Sequence, residues 1–364
     1  PTGSNVKSVA VISTSRADFG HLHWPLQRMQ AHPDLDPHLI VTGAHLSPEF
    51  GTTATEIERS GFVIEERIEC LMSSDTDIGM AKTIGTAMLS LADVLGRLRP
   101  DLLLLIADRY EMMAPACAAL ALRIPIAHIE GGEISEGAID DAVRNALTKM
   151  SHLHLTPTME AKDRVLAMGE EGWRVHRVGA PSLDHIIEGN LPDDAELSSA
   201  LGFIPDRDTC VVSIHPVTLD DDTTRQPEGV FDALEGLARV VFCFPNADAG
   251  SRALIARARE FCDARDHAEL FVNLSPRLYW GLLERSGALV GNSSSGIMET
   301  PTLELPTVNV GSRQKGRTQA ANIVDVAAKP KAIADGIRIA MDPDFRASLA
   351  GLVNPYGDGR AGQR

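Results

Sequence analysis

Residues Gly291 to Arg317 read GNSSSGIMETPTLELPTVNVGSRQKGR, a serine cluster wedged between an apolar run and a helical pattern. A strand-to-helix turn leaves backbone N–H groups without partners, and the helix dipole favours negative charge there, so such a turn is a ready anion site. Ser293 and Ser294 would add hydroxyl donors, and Gly296 would let backbone approach a phosphate. Glu299 stands where a carboxylate could accept from a ribose diol. Arg313, on the next loop, offers a fork of donors that suits phosphate oxygens. The alternative is that the serines cap a helix and Glu299 is a solvated side chain. Neither a dinucleotide fingerprint nor a Walker loop is present.

A second set of residues could move protons. Asp108 in IADRYE and Glu130 in HIEGGE end two apolar runs that flank one short helical pattern. Strands so connected are expected to be neighbours, which brings their ends together. Asp140 and Asp141 in EGAIDDAVR open the next helix, where an aspartate commonly serves as N-cap. Acids gathered at one rim of a sheet repel one another and raise one another's pKa values, as acid–base work requires, unless Arg109, Arg144 or Lys149 neutralises them. Arg16 in TSRADFG follows the first strand and would face the same rim. His215 in SIHPVT follows a buried strand and is either a hydrogen-bonded loop residue or a catalytic one. In PNADAG, Asn246 and Asp248 are available for polar contacts. His152 and His154 in SHLHL have alternating spacing but no third ligand in register, so they read as strand.

These residues need elements to hold them. Ser8–Ser13, Pro37–Gly43, Asp101–Asp108 and Ile124–Gly132 have strand length and apolar composition. The segments Ile78–Arg99 and Met112–Arg123 between them have helical spacing. The alternation resumes from Asp208 onward and ends in GALVGN followed by SGIMETPTL, read as strand into helix. Continuous apolar strands alternating with helices predict parallel sheets covered on both faces. The chain therefore reads as α/β, with two Rossmann-like doubly wound domains, 1–187 and 188–364, facing a cleft. The stretch Glu188–Asp208, rich in Pro, Asp, Glu and Ser, is the candidate linker. Ligands in such folds sit beyond the carboxyl ends of the strands.

Composition bounds the partners. The chain has 364 residues, enough for two cores, with 44% hydrophobic and 23% charged residues. With 34 basic and 50 acidic residues the formal charge is −16, unfavourable for nucleic acid or an anionic membrane. Uninterrupted apolar stretches such as Leu102–Ala107 are too short to cross a bilayer. Five scattered cysteines have no metal-ligand spacing and fit reduced thiols in a cytoplasmic protein.

Taken in order, TSRADFG, ADRYE, HIEGGE, DDAVRNALTKMSHLH, HPVT, PNADAG and the 291–317 segment give the chain its resemblance to the hydrolysing UDP-N-acetylglucosamine 2-epimerases of sialic-acid and related sugar biosynthesis. The resemblance covers nearly the whole chain and implies a glycosyltransferase-B-like fold. It implies that Arg16, Ser293, Ser294 and Arg313 contact a diphosphate, Glu299 a ribose, and Asn246 the ligand region. It places Asp108, Glu130, Asp140 and His215 at the family's catalytic positions, with Asp140 against Asp141 left open by the length of the preceding loop. Ala107 stands where glycine is commoner. The implied partner is a nucleotide sugar, UDP-N-acetylglucosamine or a diacetamido-trideoxyhexose on UDP or GDP, with no metal or redox cofactor and a homo-oligomer, dimer or tetramer. A glycosyltransferase on the same fold would need an acceptor site. A non-catalytic nucleotide-sugar sensor would keep the serine turn but not need the acids.

Overall fold

The computed structural model describes residues 6–48, 53–73, 76–135, 139–189, 191–216, 225–244, 251–272 and 274–364. Two compact units emerge. The first runs to Glu133, resumes from Ile139 to Asp184, and takes back Arg360–Arg364. The second holds His185–Gly359 together with Ile134 and Ser135.

The first unit is built on seven strands, β1 (Lys7–Ser13), β2 (Leu35–Thr42), β3 (Ile64–Ile68), β4 (Leu102–Ile106), β5 (Ile126–Ile129), β6 (Leu153–Thr156) and β7 (Val175–Arg177). They form one sheet in the order β3-β2-β1-β4-β5-β6-β7, every pair parallel. LLLLI in β4 and IAHI in β5 are buried on both faces, which is why these strands are continuously apolar. The order reverses between β1 and β4, so their carboxyl ends flank the crevice where such sheets take ligands.

Helix Asp77–Leu98 begins at Thr76, whose side chain accepts from the Gly79 N–H, and stops at Arg99 in the left-handed region. By length and composition alone this helix could cross a membrane. In the fold it buries Thr83, Ala87, Leu91, Val94 and Leu95 in the first unit's core.

The second unit has six strands, β8 (Thr209–Ser213), β9 (Arg239–Phe244), β10 (Ala268–Val272), β11 (Ala288–Gly291), β12 (Thr307–Val310) and β13 (Ile323–Val326). Their order is β10-β9-β8-β11-β12-β13, again all parallel, with the reversal between β8 and β11. Phe231, Phe242 and Phe261 pack ring against ring in its core, with centroids 5.4 to 6.1 Å apart.

The stretch read as a linker is not loop throughout. Asp194–Leu201 is a helix, opened by an Asp193–Glu196 capping box and closed by Gly202 at φ 85°, with Leu197 and Leu201 buried. The polar composition that suggested a linker consists partly of these capping signals.

Candidate active site

At the first unit's reversal, β1 runs into a tightly bonded turn. The Asp18 carboxylate accepts from the Thr14 N–H at 2.8 Å, the Thr14 hydroxyl at 2.6 Å and the Ser13 hydroxyl at 2.6 Å. His45 Nε2 lies 2.8 Å from the Ser13 hydroxyl, and its Nδ1 lies 2.7 Å from that of Thr53. Burial alone would raise the Asp18 pKa. The bond and charge of His45 and the hydroxyls of Ser13 and Thr14 outweigh it and hold the group below its ordinary value. This scaffold fixes the start of helix Arg16–Ala31. Arg16 is its first residue, mostly buried and 3.0 Å from the Glu56 carboxylate.

β4 and β5 pair from Leu103↔Ile126 to Ile106↔Ile129, so Asp108 and Glu130 leave adjacent strands at the same rim. Both exits are left-handed without glycine, Ala107 at φ 57° and Glu130 at φ 65°. Such backbone costs of order 1–2 kcal/mol per residue and persists only where its surroundings enforce it. His128 is one enforcer. It is fully buried, its Nε2–H donates to the Ala107 carbonyl at 2.8 Å, and burial lowers its pKa to about 4, keeping the ring neutral. Gly132, at φ 81°, is another, because a Cβ there would come within 2.2 Å of the Ala161 carbonyl oxygen.

Each acid has a partner of its own. Arg144, almost wholly buried, forms an ion pair with Asp108, and His21 Nδ1 lies 2.8 Å from Glu130 Oε1. The expected crowding of like charges is thus answered by a cation on Asp108 and an imidazole on Glu130. Asp140 is the first residue of helix Asp140–Met150 and not its cap, which is Ile139 in helical conformation. His154 belongs to a different cluster, with Nε2 3.2 Å from Glu170, which also pairs with Lys149 and Arg174.

At the second unit's reversal, Asn292 organises the rim. Gly291 at φ 147° lets β11 run so close to β8 that a Cβ would sit 1.9 Å from the Ser213 carbonyl oxygen. The next residue, Asn292, is buried and bridges to His215 twice. Its Oδ1 accepts from the His215 N–H at 2.7 Å and its Nδ2 donates to the His215 carbonyl at 2.8 Å. Its own carbonyl accepts from Arg313 Nη1 at 3.0 Å and Gln314 Nε2 at 2.8 Å. One side chain and one carbonyl therefore fix both His215 and the Arg313 loop.

The serine turn differs from the sequence expectation. The helix it opens, Ser295–Met298, has four residues, and a short 3₁₀ turn, Thr300–Leu303, replaces its continuation. A helix dipole is therefore a minor contributor, and the hydroxyls carry the polarity. Ser293 Oγ lies 3.3 Å from Ser295 Oγ, which lies 2.8 Å from the hydroxyl of the half-buried Tyr279. Ser294 is the N-cap residue and half-buried. Gly296 turns its bare face to Thr307 and Leu289, so packing accounts for it without a ligand. Glu299 closes the helix and is buried, not solvated. Asn246 and Asp248 lie outside the described residues. A cavity of about 710 Å³ opens at the ends of β12 and β13, lined by residues flanking Arg313, among them Ser312, Lys315 and Arg317.

His21 and Asn292 are the residues that sequence reasoning missed. His21 lies in a run read only as helix. Asn292, a polar residue directly after an apolar strand, carried a signal in its position.

Residues 27–364 match the family described as UDP-N-acetylglucosamine 2-epimerase. A GDP/UDP-N,N'-diacetylbacillosamine 2-epimerase (hydrolyzing) of Campylobacter jejuni is 36% identical over 323 residues, 88% of this chain and 84% of that protein. A UDP-N,N'-diacetylbacillosamine 2-epimerase (hydrolyzing) of Legionella pneumophila is 34% identical over 362 residues, 99% and 94% of the two chains. The fold is that of the Methanocaldococcus jannaschii UDP-GlcNAc 2-epimerase crystallised with UDP-GlcNAc and UDP, at TM-score 0.80 and 17% identity over 98% of each chain. It is a glycosyltransferase-B-like pair of parallel α/β sheets. By sequence match and by fold, this chain belongs to the UDP-N-acetylglucosamine 2-epimerase family.

Proposed function

We propose that the chain is a hydrolysing 2-epimerase of a nucleotide-linked 2-acetamido sugar, with a UDP- or GDP-linked 2,4-diacetamido-trideoxyhexose as the preferred substrate. The observation that carries the reaction type is the pair of carboxylates, Asp108 and Glu130, leaving adjacent strands in enforced left-handed backbone, each with its own partner. The diacetamido sugar is favoured by the names of the relatives at 36% and 34% identity. UDP-N-acetylglucosamine is the second reading, favoured by the family's own description.

The hydrogen on carbon 2 is weakly acidic, so departure of the nucleoside diphosphate leads. The bond from carbon 1 to the diphosphate oxygen breaks, its electron pair leaves with the diphosphate, and positive charge builds on carbon 1. A carboxylate takes the carbon 2 proton and the C–H electrons form the carbon 1–carbon 2 double bond of a glycal. Water then adds its oxygen to carbon 1 while a proton reaches carbon 2 from the opposite face, inverting it. Asp108 and Asp140 serve the elimination and Glu130 the hydration, with His21 in reach to exchange a proton with Glu130. Arg16, Arg313 and the hydroxyls of Ser293 and Ser294 stabilise the departing diphosphate electrostatically, Glu299 receives the ribose, and His215 orients or protonates. Asn246 and Asp248 complete the ligand contacts in this reading.

Incubation with UDP- and GDP-linked diacetamido-trideoxyhexoses and with UDP-N-acetylglucosamine in deuterated water tests the reading. The expected product is free sugar carrying deuterium at carbon 2, formed fastest from a diacetamido substrate. A sugar still linked to its nucleotide as main product, or no turnover of any substrate, overturns it. Faster turnover of UDP-N-acetylglucosamine selects the second reading.

A further inference from the structure

Glu130 is nearly cut off from water, yet a carboxyl that gives up a proton in every turnover must be reloaded. Its side chain is 7% exposed, whereas that of its partner His21 is 26% exposed. The two meet closely, with His21 Nδ1 2.8 Å from Glu130 Oε1, and both belong to the first unit. His128, two residues before Glu130, is no substitute. It is fully buried, its Nε2–H is committed to the Ala107 carbonyl at 2.8 Å, and its Nδ1 faces the Thr148 hydroxyl at 3.4 Å. Of these two imidazoles, His21 alone touches both the carboxylate and the solvent.

The helix holds His21 firmly in place. Its start is pinned by the Asp18 carboxylate, which also accepts from the Ser15 N–H at 3.1 Å. His21 stands three residues beyond Asp18, on the same side of the helix, and the neighbouring Leu22 and Leu26 are buried in the first unit's core. Pro25 has no N–H to give the His21 carbonyl, so this turn is held by packing rather than by that ladder bond. The Glu130 end is fixed as well, its N–H donating to the Leu155 carbonyl at 2.9 Å and its backbone at φ 65°. An acid oriented by a group that is itself locked is what proton transfer to a defined face requires.

We propose that His21 is a positioning residue that orients Glu130 and resupplies its proton from solvent. The inference rests on the epimerase reading above and deepens it. In the hydration step the Glu130 O–H bond breaks, its proton goes to carbon 2, and the electrons of the carbon 1–carbon 2 double bond form the new C–H bond. Water bonds to carbon 1 through an oxygen lone pair and gives its surplus proton to solvent. The imidazolium form of His21 then passes its Nδ1 proton to Glu130 Oε1, and the ring takes one proton back from water. Nothing is oxidised or reduced.

In the full chain, His21→Ala is expected to lower kcat about 100-fold, the low end of what a proton-transfer group contributes. The dissociation constant of UDP stays within about threefold, as for a residue that does not touch the nucleotide. Elimination outruns hydration in this variant, so glycal is released and detected by mass spectrometry. Added imidazole restores part of kcat and suppresses the glycal. His21→Asn keeps a donor near the Nδ1 position but has no proton to transfer, and it stays as slow as His21→Ala. Independently of turnover, the wild-type chain isotope-labelled at its histidines should show a downfield ring N–H proton resonance that is lost in both His21→Ala and Glu130→Ala. Full activity in His21→Asn would reduce the role to a hydrogen bond and overturn the proposal. So would a slow His21→Ala that releases no glycal and ignores imidazole, or a resonance absent from the wild type or unmoved by Glu130→Ala. If the wild-type chain turns over none of the nucleotide sugars, the epimerase reading fails alone, and the resonance still decides whether His21 and Glu130 share a proton.

Discussion

The two sheets share a design and differ at their carboxyl rims. In the first, the rim is charged: Asp108 with Arg144, Glu130 with His21, Arg16 with Glu56. Its unusual backbone includes two residues with side chains, Ala107 and Glu130, beside Gly43 and Gly132. In the second, the rim is organised by neutral groups, Asn292, serine hydroxyls, Tyr279 and Gln314, with Arg313 bonded to the Asn292 carbonyl and Glu299 buried, and its left-handed backbone includes Gly291 and Gly311. Glycine enters left-handed conformations freely, so the second rim adopts its shape at little cost. The first holds its shape against a cost, and only a network such as His128 and Gly132 makes that stable. In the epimerase reading proposed above, charge and strain collect where protons move, and hydroxyl, amide and guanidinium donors collect where the nucleotide is held.

Four experiments break or sharpen this contrast. The largest effect is expected from Asp108→Asn, which keeps size but removes the base. It should lower kcat by about 10³–10⁴ while UDP binding, measured by calorimetry, changes less than about threefold. A comparable loss of UDP affinity would erase the division between the rims. Asn292→Ala leaves the His215 N–H and carbonyl without their shared partner and should cost about 2–3 kcal/mol in urea unfolding, with weaker UDP binding.

The pH dependence of stability probes the first rim. The His128 pKa is lowered on folding from 6.5 to about 4, so below pH 6.5 the unfolded chain takes up a proton that the folded one does not. This contribution is intact above pH 6.5 and is lost as pH falls to about 4, a loss of up to roughly 3 kcal/mol in denaturation midpoints converted at each pH. His23, lowered by burial, adds in the same direction. His128→Gln retains a donor for Ala107 without the titrating ring and should flatten that slope. The smallest effect is Ala107→Gly, where relief of left-handed strain is partly offset by chain entropy. A gain of about 0.5–1 kcal/mol with kcat unchanged within about twofold is expected. A loss of stability would show that Ala107 is not strained.

The parallel sheets were legible because buried parallel strands must be continuously apolar, as in LLLLI and CVVS. The nearness of Asp108 and Glu130 followed from the short helix between their strands, since consecutive parallel strands tend to pair. The left-handed turn at Ala107 was not legible, because alanine carries no local signal for it and the enforcing histidine sits on the next strand. The helix read from Ser295 to Leu303 stops early, Pro301 starting a new turn in place of a continuing one. Asn292 showed its polarity but not its target, since nothing local pairs it with a residue so distant in sequence.

That distance has a consequence of its own. Asn292 and His215 are 77 residues apart, and their mutual bonds close the largest loop between adjacent strands of the second sheet. Long closures come late and slowly in folding, because chain entropy must be lost before any contact rewards it. A partly folded chain therefore presents strands and helices before it presents this rim, and closure of the Asn292–His215 bonds marks the end of the second unit's folding.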